Sequence, residues 1–250
     1  MTQETPFIHE YLPLDLLEAH LERYKDVSQP LALIDIDSTV LDTGPRNIAI
    51  LHEALDEMPR LREILHHITP ENLGWNVPDA VAERLSLSDR ERKLLWTFWR
   101  ERFFDDAYLH HDQPYPGVAE LLRLLSDRGM HLIYLTGRDS PNMAEGTLAS
   151  FKQHNLPFRG EEDFIFKPQP DEADLVFKER ALSEVAARGE LVIALENEPA
   201  NANRMQRRFP DALVLLIETI TTPNPEAPDP DILRFRHYPV VDFEELTILD

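Results

Sequence analysis

The stretch LALIDIDST at residues 31–39 decides how the rest of the chain is read. A short apolar run introduced by Pro30 ends in Asp35 and Asp37 and passes into Ser38 and Thr39, the pattern of a buried parallel strand feeding a polar loop. The design recurs in HLIYLTG (131–137), DFIF (163–166), LVIALEN (191–197) and ALVLLIE (212–218). Helical patterns separate these runs, at 118–128 closed by Gly129, at 140–154, at 171–188 closed by Gly189, and at 199–209. Such alternation predicts an α/β fold, a Rossmann-like parallel sheet with helices on both faces. Ligands in these sheets sit at the carboxyl ends of the strands. The polar strand ends are Asp35 and Asp37, Thr136 to Arg138, and Glu196 to Glu198.

One segment breaks the alternation. Between Gly44 and Pro116 no strand pattern stands out, whereas helical patterns appear around 48–65, 77–85 and 88–104. Roughly 70 residues is far longer than an ordinary strand-to-helix connection. The reading is an all-helical cap at 45–115 inserted into a core of 1–44 and 116–250, with Gly44-Pro45 and Pro114 to Gly117 as hinges. An amphipathic helix is expected at 14–24, and the proline-rich tail from Thr221 reads as a surface loop before a short terminal strand or helix.

Composition narrows the function classes. The chain has 250 residues with 42% hydrophobic, enough for a sizeable core, and a formal charge of −21 that would repel phosphate backbones and anionic lipid. Partners of the nucleic-acid backbone or membrane type are therefore not expected, and any anionic ligand depends on local cations. With no cysteine, disulfides, thiol nucleophiles and cysteine metal ligands are excluded, while hard oxygen ligands remain. The acidic, proline-bearing N-terminus lacks a signal-peptide pattern, and no apolar run is long enough to span a bilayer, so a soluble cytoplasmic protein is expected. Oligomeric state is not legible.

Strand alternation puts the Asp35 and Asp37 carboxylates on one face, where their repulsion calls for a proton or a cation between them. Alone, such a pair more often caps the following turn or helix. Thr136-Gly137-Arg138 adds a hydroxyl, backbone amides cleared of side-chain bulk and a guanidinium, a combination suited to a phosphoryl group. Lys178 follows near a helix start, where a surface lysine is the bland alternative. Glu196-Asn197-Glu198-Pro199-Ala200-Asn201 closes another strand with acids and amides suited to Mg²⁺, or else simply starts a helix.

In this order and spacing the pattern resembles the haloacid dehalogenase-like (HAD) superfamily, with a DxDx[TV] strand end, a Thr strand end, a Lys and an acidic strand end. PYPGVAELLRLLSDRGMHLIYLTGR, 114–138, is especially similar. The resemblance implies a phosphatase-type hydrolase acting on a small-molecule phosphate ester through an aspartyl-phosphate intermediate. Asp35 would be the nucleophile and Asp37 the general acid and base. Thr136 and Lys178, with Ser38, Gly137 and Arg138, would hold the phosphoryl oxygens. Mg²⁺ would be bound by Asp35, Asp37 through its carbonyl, and Glu196. Asp37 itself argues for phosphoryl transfer, because a departing halide needs no proton.

Two departures from the family pattern matter. Glu196 stands where an Asp is usual, which shifts the carboxylate and leaves Glu198 as a substitute, and Ala200 or Asn201 replaces a further acid, so Mn²⁺ is an alternative ion. Lys167, in KPQPD, competes with Lys178 as the phosphate-binding lysine. The alternatives in function are a phosphomutase or phosphotransferase with the same residues, or a non-catalytic phospholigand-binding module on a degenerate core. His66-His67 and His110-His111 lack the spacing that brings two imidazoles together on a helix face, and read as surface or hinge. Trp96, Phe98, Trp99, Phe103 and Phe104 read as the core of the cap. Arg46, at the hinge, is a candidate contact for a substrate anion.

Overall fold

The computed structural model describes residues 7–242 and 247–248. Its first strand, β1 (Ile8–Tyr11), leads through α1 (Leu14–Arg23) into β2 (Pro30–Ile34), the apolar run that precedes Asp35. After the helical region come α7 (Val118–Asp127), β5 (His131–Asp139), α8 (Ser140–Gln153), β6 (Phe164–Lys167) and α9 (Asp174–Arg188). The core then closes with β7 (Glu190–Glu196), α10 (Pro199–Arg208), β8 (Leu213–Ile217) and β9 (Leu233–His237). Seven strands form one sheet in the order β1-β9-β8-β7-β2-β5-β6, and every neighbouring pair is parallel. This is the α/β, Rossmann-like architecture that the alternating runs predict.

Side-chain alternation along β2 explains the two helical layers. Ala32 and Ile34 join Leu17 of α1, Leu121 and Leu122 of α7 and Phe151 of α8 on one face. Leu31 and Leu33 face the other way, onto Phe177, Leu182 and Val185 of α9 and Met205 of α10. A strand buried on both faces must read as a continuous apolar run, which is why these segments stood out in the sequence. Two strands did not. β1 is an edge strand, partly buried at Ile8 and His9 only, and β9, LRFRH, buries Phe235 alone.

Residues from Gly44 to His111 contribute nothing to the large sheet. They form α2 (Gly44–Glu53), α3 (Arg62–Leu65), α4 (Pro70–Leu73), α5 (Val77–Arg84), α6 (Asp89–Phe103) and a 3₁₀ turn at Asp106–His111. The continuous helical pattern expected at 48–65 is broken: α2 stops at Glu53, and 3₁₀ turns at Ala54–Asp56 and Pro59–Leu61 precede α3. Pro59 lacks an N–H and clashes with the preceding turn, so one uninterrupted helix is not available. These helices gather around their own apolar cluster, including Ile50, Leu51, Leu61, Val81, Leu95 and Phe98. Of the aromatic stretch, Phe98 is in that cluster and Trp99 and Phe103 pack against it, whereas Trp96 and Phe104 are exposed.

Two short strands that the sequence did not announce frame this region. β3 (Leu41–Asp42) and β4 (Gln113–Pro114) pair antiparallel, so the chain leaves and rejoins the core through a two-stranded ribbon. Among the described residues no helix is long and apolar enough to cross a membrane.

Gly117 caps α7 directly after the ribbon, at φ +83°. A Cβ there would lie 2.6 Å from the Pro239 carbonyl oxygen and 3.0 Å from Tyr238 Cβ, so both conformation and space demand glycine. Gly117→Ala is expected to lower the unfolding free energy by about 1–3 kcal/mol, read from urea denaturation midpoints.

Candidate active site at the strand ends

Strand register assembles the site. Ile34 at the end of β2 pairs with Tyr134 of β5 and with Leu195 of β7, so Asp35, Thr136 and Glu196 emerge side by side on three adjacent strands. Adjacent parallel strands lie about 4.8 Å apart, within reach of short polar side chains. The backbone of β2 ends at Ile34, and both aspartates lie in the loop beyond it. Asp35 is 4% exposed, whereas the Asp37 side chain is one-third exposed.

That loop is pinned from several sides. Thr39 Oγ1 donates to Asp35 Oδ2 at 2.8 Å, and Tyr238 Oη donates to the Thr39 carbonyl at 2.9 Å. Ser38 adopts φ +61°, an uncommon conformation for a non-glycine residue, and its carbonyl accepts from Thr219 Oγ1 at 2.5 Å. A backbone bond from Tyr115 N to the Val40 carbonyl, 3.0 Å, ties the loop to the returning ribbon.

Lys178 reaches the site from α9. Its Nζ donates to Asp35 Oδ1 and to Glu196 Oε2, the latter at 2.9 Å, and all three groups are buried. Burial alone would lower the lysine's pKa, but Asp35 and then Glu196 raise it and keep the ammonium charged. Lys167 does not reach Asp35; its Nζ pairs with Asp174 Oδ1 at 2.7 Å. Gly137 sits under that pair, where any side chain would run into the Asp174 carboxylate.

The arginine of Thr136-Gly137-Arg138 is committed elsewhere than expected. Its guanidinium is 1% exposed and donates to Asp37 Oδ1 at 2.7 Å, to Asp37 Oδ2 at 3.1 Å, to Asp112 Oδ2 at 2.6 Å and to Thr147 Oγ1 at 3.1 Å. It is thus spent on protein carboxylates and not displayed to a phosphoryl group. Arg46, the anticipated anion contact at the hinge, is fully buried and donates to Asp37 Oδ1 at 3.1 Å. Burial would raise the Asp37 carboxyl, yet Arg138 first and Arg46 second bring it down to about 2. Neither Asp112 nor Thr147 carried any sequence signal, being a lone acid just before the hinge and a lone hydroxyl in a helix.

Thr136 is wholly buried, and its Oγ1 accepts from the Arg138 backbone N–H at 3.1 Å. Glu196 Oε1 accepts from the N–H groups of Asn197 and Glu198, both at 3.0 Å. Glu198 is engaged by Thr222, whose N–H and hydroxyl donate to it at 2.7 and 3.0 Å, so it does not share the ammonium of Lys178. Both histidine pairs lie outside the site: His66, His67 and His110 are exposed, and His111 is half-buried.

The donor set bears on whether a cation fits. The Asp35 carboxyl is pushed up to about 7, by burial first and by Glu196 second, in spite of Lys178. Two buried carboxylates sharing one ammonium are short of positive charge. Among the described residues no group of three or more His, Asp or Glu side chains is placed to hold a metal ion. Asp35 and Glu196 would therefore need neutral oxygens beside them. The Asp37 main-chain carbonyl follows Asp35 closely in the loop, and Asn197 Oδ1 is 3.3 Å from the hydroxyl of Thr39, which itself holds Asp35. This all-oxygen set suits a hard divalent cation.

Comparison with known proteins agrees with the sheet. A family model described as "Hydrolase: haloacid dehalogenase-like hydrolase" matches residues 30–202. Protein tyrosine kinase A (PtkA) of Mycobacterium tuberculosis is similar in structure, with TM-score 0.55 and 13% identity over 88% of this chain and 97% of that one. A candidate phosphatase from Clostridium difficile gives TM-score 0.53 and 16% identity over 76% of this chain and 85% of that one. At such identities the likeness concerns the fold. A class C acid phosphatase from Bacillus anthracis is matched over 74% of this chain but only 58% of its own length, at TM-score 0.44 and 14% identity. No curated protein matches the sequence.

Removing the shared ammonium leaves two carboxylates buried together. Lys178→Met is expected to destabilise the fold by about 3–5 kcal/mol near neutral pH. Adding Asp35→Asn to that variant restores part of the loss, both read from equilibrium denaturation.

Proposed function

The chain belongs to the haloacid dehalogenase-like hydrolases, and from that premise we propose that it hydrolyses phosphate monoesters through an aspartyl-phosphate intermediate on Asp35. The observation that carries the reading is the Asp35–Lys178–Glu196 cluster at the ends of two adjacent parallel strands, with Asp37 two residues away at the surface. Asp35 Oδ1 rests on Lys178 and Oδ2 on Thr39, contacts that fix its direction of attack. A new Asp35–phosphorus bond forms as the bond from phosphorus to the leaving oxygen breaks. Water then attacks phosphorus, releasing inorganic phosphate and restoring the carboxylate.

Asp37 exchanges protons with the leaving oxygen and with the attacking water. Its Oδ1 receives both guanidinium groups, while Oδ2 accepts only from Arg138 Nε, which makes Oδ2 the freer oxygen for that exchange. The two arginines favour the ionised form, which leaves Asp37 unprotonated for its turn as base but makes it a weak one, and any proton it holds is readily given to the leaving oxygen. Lys178 and the Thr136 hydroxyl offset charge on the phosphoryl oxygens, aided by backbone amides of the loop at Ser38 and at Gly137. Arg138 serves through Asp37.

Asp35, Glu196 and the Asp37 carbonyl would hold Mg²⁺, which when bound supplies Lewis-acid stabilisation of the phosphoryl charge. Residues 45–115 act in this reading as a cap over the strand ends, with Phe103 packed on the Arg46 that holds Asp37. The substrate is a small phosphate ester.

A panel of phosphate esters assayed for released phosphate with Mg²⁺ or Mn²⁺ tests the reading, and an absence of metal-dependent turnover across the panel would overturn it. Asp35→Asn is expected to reduce turnover by roughly 10³-fold or more, the scale of losing a nucleophile. The cation has a readout apart from activity: at roughly a hundred times its Kd, Mg²⁺ is expected to stabilise the fold by about 2.7 kcal/mol. The resulting rise in melting temperature should be lost in Glu196→Gln. A wild-type melting temperature indifferent to millimolar Mg²⁺ and Mn²⁺ would remove the metal from this account.

A further inference from the structure

Arg46 touches the core loop, the last turn of α6 and the returning chain together. It sits in the first turn of α2 with no exposed side-chain surface. Nη2 donates to Asp37 Oδ1 at 3.1 Å, and Nη1 donates to the Phe103 carbonyl at 2.8 Å. The ring of Phe103 covers the guanidinium with its centroid 4.0 Å from the central carbon. Nε lies 2.9 Å from Asp112 Oδ1, on the residue before β4. Asp112 is fully buried too, and its other oxygen receives Arg138 at 2.6 Å.

Burying two arginines and a carboxylate here is expensive, and such groups are weak contributors to stability. What a planar, pre-organised fork supplies is fixed geometry. The contact with Asp112 is close, yet neither Arg46 Nε nor Asp112 Oδ1 has a hydrogen-bond partner, so the N–H is not aimed at the oxygen. The returning chain is seated independently: the Gly146 N–H of α8 donates to Asp106 Oδ1 at 2.5 Å, and a Cβ on Gly146 would lie 2.7 Å from the Asp106 carbonyl oxygen. Asp112 is seated on the core, its carbonyl accepting from His154 Nε2 at the end of α8 at 3.0 Å and its Oδ2 from Arg138, so Arg46, which travels with the helical region, is divided between Phe103 of that region and two carboxylates held on the core side.

We propose that Arg46 is a positioning residue which, anchored on Asp112 and Phe103, sets the Asp37 carboxylate according to the attitude of the helical region. Its consequence for turnover rests on the phosphatase reading above, in which Asp37 moves protons. When the helical region shifts relative to α8, the share of the guanidinium held by Asp112 changes and Asp37 loses or regains a constraint.

The test uses the full chain with Arg46→Lys and the charge-balanced pair Arg46→Met/Asp112→Asn, each checked for folding by far-UV circular dichroism. Hydrogen–deuterium exchange of peptides covering 35–41 and 112–117 is measured without substrate, and kcat and KM are measured with 4-nitrophenyl phosphate. The pair is expected to quicken exchange in both stretches together and to lower kcat by about 10²-fold, the cost of a misplaced catalytic group, with KM little changed. Arg46→Lys, which keeps the charge and loses the fork, should fall between; should the pair not fold, this variant alone carries the comparison. Faster exchange confined to 112–117, or an unchanged kcat, overturns the proposal. A raised KM with kcat intact overturns it as well, since Arg46 would then act on substrate. If wild type releases no phosphate from any ester while the two stretches still loosen together, the coupling stands and the phosphatase reading falls.

Discussion

One ammonium holds the site together. Lys178 comes from α9, Asp35 from the loop after β2 and Glu196 from the end of β7, and the three meet in a buried cluster. Two carboxylates cannot remain ionised side by side in such surroundings without a cation. The packing of α9 against the sheet, through Phe177, Ala181, Leu182 and Val185, is therefore also an electrostatic requirement of the strand ends. Apolar packing places the helix within a few ångströms, and the ion pairs select its azimuth, because a rotation that removed Lys178 would strand both acids.

A second cluster lies beside the first and is built differently. Asp37, Asp112, Arg46 and Arg138 carry two charges of each sign, so the group is neutral and closed on itself. The first cluster, with two acids and one lysine, carries a net negative charge and is open to a further cation. This division accounts for the opposite displacements of neighbouring aspartates. Asp35 is pushed up by burial and by Glu196, while Asp37 is drawn down by two guanidinium groups, although only one residue separates them. The overall charge of −21 bears little on either, since both clusters are governed by groups within hydrogen-bonding distance.

The sheet was legible because parallel strands buried on both faces must carry unbroken apolar runs, as β2, β5, β7 and β8 do before their polar ends. Given a parallel sheet, the site followed from its polar strand ends, as register carries Asp35, Thr136 and Glu196 to one edge. What stayed hidden falls into two kinds. β1 and β9 lie at or near the sheet edge and bury too little to leave a run, and β3 and β4 are too short to carry a period. The partners of Asp37 were hidden for a different reason. An arginine after a Thr-Gly strand end reads as an anion ligand, and nothing local tells whether the anion is a substrate or a protein carboxylate. Asp112 and Thr147, which take up the remaining donors of Arg138, are 26 and 9 residues away from it in sequence. Only the returning ribbon brings Asp112 under the guanidinium.

Glu196 shows how one methylene changes what a strand end can do. Its Oε1 folds back to accept from the amides of Asn197 and Glu198, the first groups of the turn into α10, while Oε2 stays on Lys178. The carboxylate thereby works as an anchor for its own loop, satisfying two N–H groups that precede a helix started by Pro199. An aspartate at this position has one fewer bond with which to turn back, so reaching the amides and the lysine together would require the backbone to move. The longer side chain consequently links the pitch of α10 to the Lys178 cluster. Any shift of the Glu196 carboxylate would therefore be felt at the start of α10 as well as at Lys178.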